Sequence, residues 1–215
     1  MGRRRRRVRT VLVLVVLVVA AVLVERVATR GPALSPLRQR IVSVAESQVG
    51  VATDPADTYC NRYSAHWYSG QPCSNGDYAE EWCADFAAWV WQRAGAVVTY
   101  QFVHGDLNSS SASFYEWGEA HGTWHPVGTG YRPQPGDVAV YGLDAAALTA
   151  AHVAVVTGWS PGQRGPDVVN GDGDRTAFST VEAGSNEFDA DTRGGGEPLS
   201  GYVSPTAPVS PSTTG

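Results

Sequence analysis

The sequence has no lysine, one methionine and three cysteines in 215 residues, and charged residues make up only 17% of it. The missing lysine is read as a genomic-composition bias rather than chemistry. The scarcity of charge, beside 43% hydrophobic residues, excludes a chain disordered throughout. No internal repeat and no phosphate-cradling glycine loop is recognisable. Past residue 30 basic charge is scarce. Residues 1–30 hold eight of the 16 basic residues and one of the 21 acids, so the remainder carries eight against 20, a net of −12. Phosphate would be repelled by such a body, which excludes nucleic acid as a partner.

What is present begins with Arg3-Arg4-Arg5-Arg6-Arg7-Val8-Arg9, followed by the apolar run 11–24. A basic run directly before an apolar one is a targeting or anchoring segment, with the positive end held in the cytoplasm. The run is short for a bilayer, which needs about 20 apolar residues; counting Val8 to Val27, with Arg9 and Arg26 snorkelling, brings it close. No small-residue cleavage site follows, and Glu25, Arg26 and Arg30 stand where one should be. Residues 1–30 therefore read as an uncleaved anchor in the cytoplasmic membrane with the body outside, a cleaved signal peptide being the alternative. An exported chain with an odd cysteine count leaves one unpaired. Cys60 and Cys73 share a polar, turn-rich stretch; joined, they would close a short loop worth about 3 kcal/mol.

The body starts with a helix expected over 36–49, with Ser35 as N-cap, Pro36 in the first position, Leu37, Ile41, Val44, Ala45 and Val49 on one face, and Gly50 at the end. Residues 51–80 read as loop. A second helix is expected over 82–94, closed by Gly95, and a third over 113–121 with Ser113 and Glu116 as a capping box. The period then changes to two: strands are expected at 137–141, 152–159, 167–169, 178–182 and 201–203. Helices first and an antiparallel meander after predict an α+β fold, with N-terminal helices packed on a small antiparallel sheet. Residues 206–215 read as a Pro/Ser/Thr tail.

Cys83 falls in the first turn of the second helix, where unpaired N–H groups and the helix dipole favour a thiolate. His152 opens an apolar strand and can act as a base toward a cysteine on a packed helix. Asn170 or Asp172, in the next turn, can hold the ring tautomer. Each residue alone reads equally as core or turn. Their order, cysteine on a helix, histidine on a strand and Asn/Asp after the next strand, is that of a nucleophilic site.

The blocks around them resemble a known family. Glu81-Trp82-Cys83-Ala84-Asp85-Phe86-Ala87-Ala88-Trp89-Val90-Trp91 is similar to the nucleophile motif of the CHAP family, the cysteine, histidine-dependent amidohydrolases and peptidases of bacterial cell walls. Tyr59–Tyr63 with Trp67–Gly70, Pro135-Gly136-Asp137-Val138-Ala139-Val140-Tyr141, His152–Val156 and Gly201–Pro205 resemble further family blocks in the same order. The resemblance covers 36–205 and implies a papain-like catalytic domain that cleaves amide bonds in peptidoglycan by a Cys-His-Asn type mechanism. It carries the nucleophile to Cys83, the base to His152, the ring-orienting position to Asn170 and a second polar position to Asp172. Many members have Glu-Gly-Asn where this chain has Asn170-Gly171-Asp172, so the third member stays open between the two. Trp82, Tyr63 and Trp67 are expected to line the substrate groove, with Trp89 a weaker candidate. The alternatives are a non-catalytic wall-binding module of the same fold, or a papain-like amidase on another substrate.

No metal or cofactor is expected. His121 and His125 are four apart but are separated by Gly122, and the spacing of Asn170, Asp172 and Asp174 lacks the glycine and glutamate of an EF-hand loop. Asp54 and Asp57 are candidates for the calcium site some family members carry. The sequence identifies no activating protein partner.

Overall fold

The computed structural model describes residues 33–56, 58–68, 73–159, 163, 165–172, 181–185 and 197–208. The chain divides into two units, Met1–Ser35 and Pro36–Gly215, and the second carries the fold. Its elements run α1 (Pro36–Glu46), β1 (Cys60–Asn61), α2 (Arg62–Trp67), β2 (Tyr78–Ala79), α3 (Cys83–Ala94), α4 (Ala112–His121), β3 (Trp124–Pro126), β4 (Val138–Tyr141), β5 (His152–Gly158), β6 (Asp167–Asn170), β7 (Glu182–Ser185) and β8 (Leu199–Val203). The expected anchor at 1–30 lies outside the described residues; among those described, no helix is long and apolar enough to cross a membrane.

The α+β layout is as expected. β1 and β2 form a small ribbon, and the main sheet has the order β3-β8-β4-β5-β6-β7, antiparallel throughout. Strands β4 to β7 are the meander, and β8 returns to lie between β3 and β4. Alternation along the strands separates two cores. Val138, Val140, Val153, Val155 and Val169 pack with Ile41, Phe86, Val90, Trp91 and Phe114 from the helices. Ala139, Tyr141, Ala154, Val156, Val168 and Tyr202 form a second cluster, capped by Tyr131 and Leu199. Both faces are covered, which is why β4 and β5 read as unbroken apolar runs.

Three helix expectations change. α1 stops at Glu46, and Val49 is exposed in the turns that follow. Residues 51–80 are not all loop: Asn61 caps α2, its Oδ1 accepting from Tyr63 N–H (3.0 Å) and Ser64 N–H (2.8 Å). The capping box at Ser113 does not form. α4 starts one residue earlier with Ser111 as N-cap, Ser113 Oγ bonds both backbone groups of Asn108, and Glu116 takes His104 at 2.8 Å. For the expected strand at 178–182, Phe178 to Thr180 lie outside the described residues, and β7 begins at Glu182.

The Pro135-Gly136-Asp137 turn ties these layers together. Gly136 adopts φ +92°, a left-handed conformation that favours glycine, and its carbonyl accepts from Trp91 Nε1 of α3 at 3.0 Å. Asp137 is fully buried and accepts from Arg38 Nη1 of α1 (2.8 Å), Tyr131 Oη (2.7 Å), Gln134 N–H (2.8 Å) and Ser204 Oγ (2.9 Å). Beyond β8 the backbone stays engaged: Ser204 N–H donates to Thr123 O at 3.1 Å, and Thr206 O accepts from Val97 N–H at 2.9 Å.

Candidate active site

Cys83 is the first residue of α3 and, with Cys60 and Cys73 joined in a disulfide, the free cysteine of the chain. The pairing expected from the cysteine count is observed. Trp82, the residue before it, is clamped: its N–H donates to Asp172 Oδ2 at 3.2 Å, and its ring stacks on Tyr63 at 5.2 Å. Gly171 fits beneath because it has no side chain. A Cβ there would lie 2.4 Å from Phe86 Cβ and 2.9 Å from the Trp82 ring. The Asn170-Gly171-Asp172 turn is thus packed against the start of α3.

His152 begins β5, and Asn170 ends β6. The ring nitrogen Nε2 of His152 lies 3.1 Å from Asn170 Oδ1, which makes Nε2 the protonated nitrogen. Asn170 is therefore the residue on the imidazole, while Asp172 reaches the N-terminus of α3. The thiol of Cys83 is held from two sides. Its Sγ is 3.2 Å from Ser111 Oγ, and the backbone N–H of Val153, the residue after His152, faces the sulfur. The site brings Cys83 to the start of β5, but the thiol's side-chain hydrogen bond is to Ser111.

Burial governs the charge state. Cys83 is 7% exposed and His152 5%. Desolvation pushes the thiol up to about 12; Ser111 and the Val153 N–H pull it down, while Asp172 and Asp85 push it further up. Desolvation likewise lowers His152 to about 4, opposed by the bond to Asn170. The resting pair is neutral. This corrects the expectation of a thiolate from helix position alone: a dipole effect of about 1 kcal/mol at a helix end is outweighed by the cost of an anion in a dry site.

The aromatic residues divide. Trp82 and Tyr63 are each 1% exposed and sit in the core, which corrects the expectation that they line a groove; their rings are what hold α2 against α3. Trp67 is half-buried, stacked on Tyr100 at 4.1 Å, with Nε1 donating to Asp85 O at 3.1 Å, and keeps an accessible face. Trp89 is half-buried against Tyr63. Beside Trp67, Tyr100 Oη donates to Asp85, a buried carboxylate near Glu80. Burial and Asp85 raise Glu80 to about 8.

His121 Nδ1 meets Trp117 O at 2.9 Å, and His125 stacks on Tyr131, so both are used in packing. Among the described residues no three His, Cys, Asp or Glu side chains converge as metal ligands; Asp57 lies outside them. Ser111 was missed from the sequence. It stands in a run of three serines before α4 and reaches Cys83 only through the tertiary fold.

Residues 74–170 match the family model of the CHAP domain. The CHAP match brackets Cys83, Ser111, His152 and Asn170, and Asp172 lies just beyond it. Among solved structures the chain is similar to NlpC2 from Trichomonas vaginalis, at 12% identity and a TM-score of 0.42, covering 80% of this chain and 48% of that one. It is also similar to NlpC1 from the same organism, at 11% identity and a TM-score of 0.42, covering 81% and 46%. The chain spans about half the length of these two structures. No curated protein matches it.

Proposed function

We propose that the protein is an exported cysteine hydrolase that cleaves amide bonds in peptidoglycan, as an N-acetylmuramoyl-L-alanine amidase or a peptide endopeptidase. The observation that carries the reading is a free thiol on the first residue of α3, inside the CHAP match, whose sulfur faces the backbone N–H of Val153, the residue next to a histidine bonded to an asparagine. The Cys60–Cys73 disulfide supports an oxidising compartment. The basic and apolar run at the N-terminus supports an anchor in the cytoplasmic membrane with the domain outside.

In this reading Asn170 keeps the proton on Nε2 and leaves the Nδ1 lone pair as the base. The thiol, with Ser111 still against the sulfur, gives its proton to Nδ1 as sulfur attacks the amide carbonyl. The C–S bond forms, and the carbonyl electron pair moves to oxygen beside the Cys83 N–H at the helix start. Collapse of this intermediate breaks the C–N bond, and the leaving amine takes the proton from Nδ1. Water then attacks the thioester, giving one proton to Nδ1, and the departing sulfur recovers it.

The test is digestion of purified peptidoglycan by the full chain beside Cys83→Ala, with products read by mass spectrometry. Free stem peptides absent with the variant establish an amidase; uncrosslinked or shortened muropeptides establish an endopeptidase. Equal pelleting of both forms with the wall and no product refutes the hydrolase reading in favour of a binding module. Turnover of peptides but not of wall refutes the substrate.

A further inference from the structure

Ser111 is the N-cap of α4, yet its hydroxyl makes no cap hydrogen bond. N-cap serines ordinarily take an extended backbone that aims the hydroxyl at the N–H groups of the first turn. Ser111 instead has helical angles, φ −57° and ψ −32°, and its Oγ meets Cys83 Sγ at 3.2 Å. The residue is 8% exposed. The segment that presents it is fixed by its own bonds: Ser110 N–H to Asn108 Oδ1 (2.9 Å), Asn108 N–H to Ser113 Oγ (3.1 Å) and Ser113 N–H to Ser110 O (3.0 Å). The capping interaction of one serine is forgone while its neighbours are tied down, and the freed hydroxyl lies against the nucleophile.

We propose that Ser111 is a catalytic residue, whose hydroxyl donates first to the Cys83 sulfur and then to the oxygen that becomes negative when sulfur attacks. The inference rests on the hydrolase reading for its second half only. An oxygen on the attacked carbon lies next to the sulfur, so a donor already bonded to sulfur reaches it by a small rotation about Cα–Cβ. No bond to Ser111 forms or breaks; its proton stays on Oγ and changes acceptor. A donor held in place before the charge appears is the kind that stabilises an oxyanion most.

The test compares the full chain with Ser111→Ala and Ser111→Thr in three measurements: muropeptide release from peptidoglycan, the rate of iodoacetamide alkylation at pH 9, and thermal unfolding. Ser111→Ala is expected to lower release about 100-fold, the low end of the range for losing one oxyanion donor, and to slow alkylation several-fold. Its Tm should stay within about 2 °C of wild type, since no cap is lost. Ser111→Thr, which keeps the hydroxyl, should restore most of both rates. Unchanged release and alkylation in Ser111→Ala overturn the proposal. A fall in Tm of several degrees, with Ser111→Thr failing to restore the rates, overturns it in favour of a structural role. If wild type releases nothing, the hydrolase reading fails and alkylation alone decides the sulfur contact: equal rates refute it, a several-fold drop supports it.

Discussion

Iodoacetamide should find Cys83 a poor nucleophile in the resting protein. With the thiol pushed up to about 12, only about one molecule in 30,000 carries a thiolate at pH 7.5, against roughly one in ten for an unperturbed cysteine of pKa about 8.5. Alkylation should be slowed about 3,000-fold by charge state alone, before any steric exclusion. His152, lowered to about 4, supplies no imidazolium above pH 5 to stabilise the anion. The rate should therefore climb about tenfold per pH unit from 6 to 10 without levelling. With Cys60 and Cys73 paired, a single adduct by intact-mass spectrometry reports Cys83. Asp172→Asn removes a charge that raises the thiol yet keeps an acceptor for the Trp82 N–H, so it should speed alkylation several-fold at every pH. A flat, fast rate between pH 5 and 8 would refute the reasoning, because it requires a thiolate–imidazolium pair already formed.

Asp137→Ala should destabilise the domain by about 3 kcal/mol, since it removes the carboxylate that pairs with Arg38 and strips three further donors of their acceptor. Chemical denaturation of the two forms measures the difference, and a loss below 1 kcal/mol would show that the hub is dispensable. The depressed His152 predicts the sign of a pH effect. Above the ordinary value of 6.5 both folded and unfolded states hold a neutral ring; as pH falls from 6.5 toward 4 only the unfolded state takes the proton. Stability falls by about 3 kcal/mol over that window. The difference in stability between wild type and His152→Gln, followed from pH 7 to 4, isolates this contribution, and a difference independent of pH contradicts it.

Much of this was legible in the sequence, and the gaps have physical causes. α3 was readable because Phe86, Ala87, Val90 and Ala94 keep one helical face and Gly95 takes φ +88° at its end. β4 and β5 were readable because strands covered on both faces are short apolar runs. α2 was missed because its signal is one capping residue, Asn61, inside a string of polar and aromatic residues that also suits a loop. Asn170 and Asp172 could not be separated, since both are turn formers with polar tips; only the packing of Gly171 under Phe86 sends one to the imidazole and the other to the helix. Trp82 and Tyr63 were assigned to a groove because their size and polar tips suit either a ligand or a core, and burial is a property of the fold. Ser111 had no signal beyond its type, as nothing local relates it to a cysteine 28 residues away.

The place of β8 has a consequence for how the domain is made. Among the described strands the last in sequence, β8, is an interior one, lying between β3 and β4, and the described residues after it are bonded back to Thr123, Val97 and Asp137. A chain emerging from a ribosome can form α1 to α4 and pair β4 with β5, but among the described strands β3 has no neighbour until Leu199–Val203 arrives. The sheet therefore closes only after Leu199–Val203 is available, through pairings distant in sequence, which fold slowly. A nascent chain stopped short of Leu199 would expose β4 along one edge and leave β3 without a sheet to join.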